Sequence, residues 1–393
     1  MRIYLDNAAT TPLSNEVFSA MEPYLFEHFG NASSAHGFGR EARTAVSKAR
    51  ANIADLLNAN PDNIIFTSGG TESDNAAIIS SIRSNKIKVA ITSALEHHAV
   101  LNTLRALERD GEIRLFYLNN DESGNLSLRH LQQLLQNNER AFVSVMHGNN
   151  EIGNLNNIEE ISGLCCSYGA IFHSDTVQTM GHHQYDTKSL KADFLVGSAH
   201  KFHGPKGVGF LYKREKSLLL PHIQGGSQEG GQRGGTENVA GIVGLAKALE
   251  ITARDRQALN SHISSLKKRM ITGLLASVEG LSFNGNSGDL KRSLSSVLIV
   301  SLPTNRLGIP VLGYLDSIGI CASGGSACTS KSAGSHVLNA IGVDGSRDVL
   351  RLSFSRNNNF EEVDHTIAEL SKLFSFNGVL EIANFAKPIL AVQ

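Results

Sequence analysis

The chain has 393 residues, 41% of them hydrophobic, which is enough for two domains or for one large domain with a smaller one appended. Lys and Arg (36) nearly cancel Asp and Glu (37), and no basic stripe points to nucleic acid or an anionic membrane. The longest apolar runs, such as Val297-Leu298-Ile299-Val300, are strand-sized, and the first six residues lack the apolar core of an export signal, so neither a membrane span nor secretion is expected.

In chain order, an extended piece over residues 3–12 leads into a predicted helix from Asn15 to Glu27. A Gly/Ser/Asn loop (Phe29–Gly37) follows, then a long helix from Arg40 to Leu57 with Ala42, Ala45, Val46, Ala49, Ile53, Leu56 and Leu57 on one face. Short β-prone runs come next: Ile64–Thr67, Lys88–Thr92, Ile113–Tyr117, Ala141–Val145, Ala170–Ser174, Asp193–Gly197 and Val208–Tyr212. Helical patterns separate most of them (Thr71–Arg83, His97–Glu108, Ser127–Gln136, Asn157–Tyr168). This alternation predicts an α/β domain with a mostly parallel sheet covered on both faces, and ligands in such sheets bind beyond the carboxyl ends of the strands. A glycine-rich segment (Gln224–Gly235) precedes a helical pattern from Thr236 to Arg254. The remainder reads as helix (Asn260–Ser277), strand (Ser295–Ser301), helix (Leu307–Ser317), a small-residue loop (Ala322–Gly334), strand (Leu350–Ser355) and helix (Phe360–Phe374), an α+β tail.

Four loops carry candidate chemistry. Lys201 follows a β-prone run, with Ser198 and His200 beside it; a lysine partly removed from water loses proton affinity and becomes an amine nucleophile or base. A solvated loop lysine is the bland alternative. Thr67-Ser68-Gly69-Gly70-Thr71-Glu72-Ser73 joins a strand to a helix start, where backbone amides and Thr71 can hold an anion; it has neither the Walker nor the GxGxxG spacing, and a simple capped helix fits equally well. Asp175 ends another run and can pair with a protonated ring nitrogen, with Gln178 donating to a ring oxygen, or it can be an ordinary N-cap. His97 can stack on a flat cofactor and move protons, or lie on the surface. An aldehyde-binding lysine, a ring-nitrogen acid, a stacking imidazole and a phosphate cradle are together what pyridoxal 5'-phosphate requires. Cys165, Cys166, Cys321 and Cys328 form no CxxC pair, and His182-His183, His97-His98 and Cys165-Cys166 lack chelating spacing, so no metal and a reduced, cytoplasmic setting are expected.

Tyr4–Pro12, Gly30–His36, Gly70-Thr71-Glu72-Ser73, Asn149-Asn150-Glu151-Ile152-Gly153, Ser198-Ala199-His200-Lys201 and Ser326-Ala327-Cys328-Thr329-Ser330 resemble the cysteine desulfurases of the NifS and IscS group, within the class V aminotransferase family. The likeness runs from residue 4 to about Arg356. It implies a fold-type I transferase with a mostly parallel seven-stranded sheet and a smaller α+β domain. Residues 14–256 would form the large cofactor-binding domain, and residues 1–13 with 257–393 the small domain carrying the catalytic cysteine loop. The resemblance further implies pyridoxal phosphate held covalently by Lys201, with Asp175 on the pyridine nitrogen, Gln178 on the ring hydroxyl and His97 stacked over the ring. Gly70, Thr71, Ser198 and His200 would hold the phosphate, Thr236 would reach the phosphate in a partner subunit, and Asn150 and Arg351 would orient the substrate. In the implied reaction L-cysteine loses its sulfur to the Cys328 thiolate and leaves as alanine, Lys201 takes the Cα proton, and the persulfide passes to an acceptor protein, a scaffold or sulfurtransferase serving iron–sulfur assembly or thiolation. Ala32 replaces the usual Pro, and Gly325 stands where Ser is expected. A selenocysteine lyase or another fold-type I enzyme such as an aminotransferase is the nearest rival, and a non-catalytic sulfur-carrier scaffold a more distant one. Residues 379–393 would suit partner docking.

Overall fold

The computed structural model describes residues 2–305, 308–324 and 334–375; Cys328 and the 379–393 stretch lie outside them. The chain opens with β1 (Ile3–Tyr4), α1 (Asn15–Met21), α2 (Pro23–Phe26) and α3 (Gly37–Leu56). The single helix expected over 15–27 is therefore split: Pro23 has no N–H to continue the ladder and starts a new short helix instead. By contrast α3 begins three residues ahead of the periodic pattern, because the His36 ring caps it by accepting from the Gly39 amide at 3.3 Å.

Next come β2 (Ile64–Thr67), α4 (Gly70–Ser84), β3 (Val89–Ser93), α5 (His98–Arg109), β4 (Arg114–Leu118), α6 (Leu128–Asn137) and β5 (Phe142–Ser144). After them follow α7 (Ile158–Ser167), β6 (Ile171–Ser174), β7 (Phe194–Ser198) and β8 (Gly209–Lys213). These strands make one seven-stranded sheet in the order β2-β8-β7-β6-β5-β3-β4, parallel except for β8, which runs against both its neighbours. Every strand-end loop singled out from the sequence follows β2, β3, β5, β6 or β7, so all of them open on one edge of the sheet. The two faces divide residue by residue: Ile91, Val143 and Leu195 pack with α3, α7 and α8 residues, while Ala90, Phe142, Phe194 and Val196 pack beneath α4 and α5.

The helix α8 (Val239–Arg254) starts later than the pattern suggests, since Asn238 is its cap, accepting from Gly241 N at 3.1 Å. Only Asp255 separates it from α9 (Arg256–Ser277). The smaller sheet follows: β9 (Ser282–Phe283), β10 (Val297–Leu302), α10 (Val311–Ser317), β11 (Ile320–Cys321), β12 (Ser323–Gly324), α11 (His336–Ala340), β13 (Asp348–Ser353) and α12 (Phe360–Phe374). Its order is β12-β13-β10-β9, antiparallel throughout. Here α10 starts at Val311, after Pro310 rather than at Leu307, and β9, β11, α11 and β12, the last inside the expected loop, were not foreseen. β13 also starts two residues before the predicted Leu350 and ends at Ser353 rather than Ser355. A separate core of α9, β10, β13 and α12 side chains takes in Ile3 and Leu5, and β1 pairs in parallel with β11. The amino-terminal residues are thus tied to the second sheet while Thr11 and Ser14 bond the His200 and His203 carbonyls of the first.

Candidate active site

Beyond the strand ends lies a cavity of about 200 Å³ lined by Gly70, Thr71, Asp74, His97, Met146, Asn150, Asp175, Val177, Gln178, Ser198, His200 and Lys201. Nine of the residues predicted from the sequence meet here. A more open neighbouring space, lined by Gly69, Thr71, Ser198, His200 and Lys206 among others, continues it toward the start of α4. The chain makes this bend at Gly69, whose φ of +151° disfavours a side chain, and a Cβ at Gly70 would lie 2.7 Å from Val177 Cγ2. Backbone and sheet edge therefore approach each other closely where an anion would sit, at a helix N-terminus.

Lys201 stands on a short 3₁₀ turn directly after β7. Its Nζ donates to the carbonyls of Ala8 (2.7 Å) and Ala9 (2.9 Å), not to Ser198 or His200. Burial, assisted by the nearby Arg351 charge, lowers its pKa to about 8 against the opposing pull of Asp175 and Asp6. Gln178 Nε2 also donates to the Ala8 carbonyl, at 3.0 Å. His200 holds Thr10 Oγ1 across 3.1 Å, and burial beside Lys201 and Lys206 lowers its pKa to about 4, so the ring is neutral near pH 7.

Asp175 is buried just past β6, where its carboxylate accepts from Val177 N at 2.9 Å. Desolvation raises its pKa; that bond and the neighbouring His97 and Lys201 pull it back. His97 caps α5 through Nδ1, which accepts from Ala99 N at 3.2 Å and leaves Nε2 as the protonated nitrogen facing outward from the cap. Ligand atoms of Asp74, His97 and Asp175 lie within 4.8 Å of one another, the one such trio among the described residues. Glu96, immediately before His97, is fully buried; it accepts from Met146 N at 2.8 Å, and burial pushes its carboxyl well above the usual range.

Two predicted residues stand elsewhere. Thr236 lines a separate space of about 150 Å³ with Ser68, Glu229 and Arg233. Its loop is pinned by two forks: Arg233 to Glu72 (2.9 Å) and Arg50 to Glu229 (2.7 Å). Arg351, on β13, donates from Nη1 to the Asn150 carbonyl and from Nη2 to Asp6 Oδ1, both at 2.9 Å. The same Asp6 oxygen accepts from Ser323 Oγ at 2.7 Å, and Arg351 Nε is buried without a hydrogen-bond partner among the described residues. Asp6 and Asp74 were missed as participants. Asp6 was within sight, inside a quoted motif; Asp74 gave no signal beyond an acidic residue inside a helical pattern.

These residues suit pyridoxal phosphate. A depressed lysine amine, a buried carboxylate, a carboxamide and an imidazole share one cavity, and a glycine-permitted helix start adjoins it. The aminotransferase class-V family model matches residues 3–366. Cysteine desulfurase IscS of Dictyoglomus turgidum is 42% identical over 378 residues, covering 94% of each chain. Cysteine desulfurase NifS of Azotobacter vinelandii is 39% identical over 373 residues, 94% of this chain and 91% of the relative. Among solved structures, a NifS-like protein superposes with a TM-score of 0.87 at 34% identity, covering 95% and 99% of the two chains. SspA in complex with cysteine superposes with a TM-score of 0.77 at 32% identity, over 90% and 99%.

Proposed function

The chain belongs to the aminotransferase class-V family, as a cysteine desulfurase of the IscS/NifS kind, and from that premise we propose how its own residues remove sulfur from L-cysteine. The gathering of Lys201, Asp175, Gln178 and His97 in one cavity beyond the strand ends carries the reading. When bound, pyridoxal phosphate supplies an aldehyde for amines and a ring that takes up the electron pair released at the substrate's Cα.

Lys201 would hold the cofactor covalently and would take the Cα proton as a free amine; with a pKa of about 8 roughly a tenth of the molecules carry it neutral near pH 7, against far fewer for an ordinary lysine. Asp175 would pair its carboxylate with the ring nitrogen, Gln178 would serve the ring hydroxyl, and His97 would cover the ring and move a proton at Nε2. Gly70, Thr71, Ser198 and His200 bind the phosphate, with a neutral His200 able to donate from its free ring nitrogen. Asn150 and Arg351 orient the cysteine, the guanidinium gripping its carboxylate after exchanging Asp6 for it. Cys328 acts as thiolate: its Sγ bonds to the substrate sulfur, the substrate's Cβ–Sγ bond breaks, and the carbon fragment takes up a proton and leaves as alanine. The persulfide so formed serves an acceptor protein in iron–sulfur cluster assembly or thiolation.

A homodimer, with Thr236 reaching the partner's phosphate, agrees with the apolar surface at Phe26 (72% exposed), Phe29 (70%) and Phe38 near the amino terminus, which an isolated chain would leave in water. A large domain of residues 14–256 and a small one of 1–13 with 257–393 are part of the proposal, which the separate cores of the seven-stranded and four-stranded sheets support. No helix among the described residues is long and apolar enough to cross a membrane, and a cytoplasmic setting is part of the proposal. Cys328→Ser tests the reaction directly: the variant should keep the absorbance of bound cofactor and bind cysteine, yet form no alanine or sulfide. Brisk alanine formation would remove Cys328 from its role.

A further inference from the structure

Asp74 sits one turn into α4, where a free-standing helix has no use for an aspartate. It is 1% exposed, yet it lines the same cavity as Lys201 and Asp175. Its Oδ1 has no hydrogen-bond partner among the described residues. The nearest base is His173 Nε2 at 3.3 Å, out of line for a hydrogen bond, while His173 Nδ1 is engaged with Ser144 Oγ at 2.9 Å. A second carboxyl, that of Asp175, belongs to the same close trio. Burial and the Asp175 charge together push the Asp74 carboxyl well above the ordinary range, and burial lowers the His173 pKa to about 3, so the histidine does not supply a compensating charge near pH 7.

The polar groups nearest to the Asp74 carboxyl have partners of their own. Lys201 Nζ is directed to two backbone carbonyls, and His97 Nδ1 to a backbone amide. Two buried carboxyls line this cavity, Asp74 with no hydrogen bond to its Oδ1 and Asp175 held by the Val177 amide with the His97 ring close by, and together they present negative potential to it. We infer that Asp74 and Asp175 together form a two-carboxyl seat for one flat cation, the protonated ring nitrogen of the cofactor, with Asp74 as a positioning residue that strengthens the field Asp175 presents. The inference rests on reading the cavity as a pyridoxal phosphate site. It differs from a plain packing role because it acts through one atom of the ligand.

That atom can be removed. Apoprotein is titrated with pyridoxal phosphate and with 1-deazapyridoxal phosphate, in which a C–H replaces the ring nitrogen, following the absorbance of the bound aldehyde. Wild type should prefer the nitrogen-bearing ligand, and Asp74→Asn should shrink that preference by about tenfold while leaving affinity for the deaza ligand unchanged. Equal weakening of both ligands, or no change in either, overturns the inference. A wild-type protein that takes up neither ligand overturns the cofactor reading itself, a result distinguishable from the other two. If Asp74→Asn does not fold, Asp74→Ser carries the same comparison.

Discussion

The cavity at the end of the large sheet and the Arg351 cluster on the small one handle charge differently. Around Arg351 the charge is met locally: Asp6 accepts from it and from Ser323, and the Asn150 carbonyl takes a second nitrogen. In the cavity wall Asp74 and Asp175, and behind it Glu96, are buried, and burial raises all three carboxyls. The difference is one of degree: around Arg351 only Nε lacks a hydrogen-bond partner among the described residues, whereas at the cavity Asp74 Oδ1 lacks one and burial, not a partner, sets the carboxyls. Packing supplies the stability that such a cavity forfeits; its walls are strands buried on both faces.

The two regions are nonetheless linked electrically, and variants can break that link. Lys201→Ala should have the largest effect. Alanine formation should drop by about 10³-fold or more with loss of the covalently bound cofactor, read from absorbance after gel filtration. Retention of the covalent cofactor would transfer the role to Lys206. In wild type, capture of added pyridoxal phosphate by apoprotein needs the neutral amine. The folded pKa of Lys201 is lowered, so the capture rate should climb with pH, reach its midpoint near about 8 and level off above it. Since Arg351 is one cause of that lowering, Arg351→Gln should move the midpoint upward. An unmoved midpoint would show the two regions to be independent.

A narrower change, Arg351→Lys, keeps the charge and removes the planar fork. It should raise the KM for cysteine by an amount worth about 1.5–3 kcal/mol while leaving the cofactor spectrum intact. Smallest is Gly70→Ala, whose Cβ would press on the Val177 side chain. A cost of about 1–3 kcal/mol in thermal denaturation is expected, with weaker cofactor retention. A melting curve and retention like wild type would mean that Val177 yields freely.

The sequence shows this site where composition changes abruptly. Gly70, Asp175 and Lys201 each stand at a break between a β-prone run and a polar loop, and parallel topology gathers such breaks on one edge. Asp74 was illegible because a buried aspartate and a solvated one look alike within a helical pattern. The Asp6–Arg351 bond escaped because its partners are 345 residues apart. Helix ends were misjudged for a local reason: His36 and Asn238 cap with side chains whose hydrogen bonds leave no trace in hydrophobic spacing. Thr236 was named from resemblance, and its place in a separate space is visible only in three dimensions.

The amino-terminal stretch also has a bearing on how the protein is made. Asn7 bonds both Ser353 and Asn358, and Leu5 accepts from Ser353 N at 2.7 Å, while Ala8 and Ala9 hold the Lys201 amine. Residues 5–8 therefore find these partners only some 345 positions further along the chain, a long-range closure of the kind that slows folding. The stretch that holds the Lys201 amine is thus itself fixed by residues of the second sheet, so an order that starts at one end of the chain cannot complete this contact before the other sheet has formed.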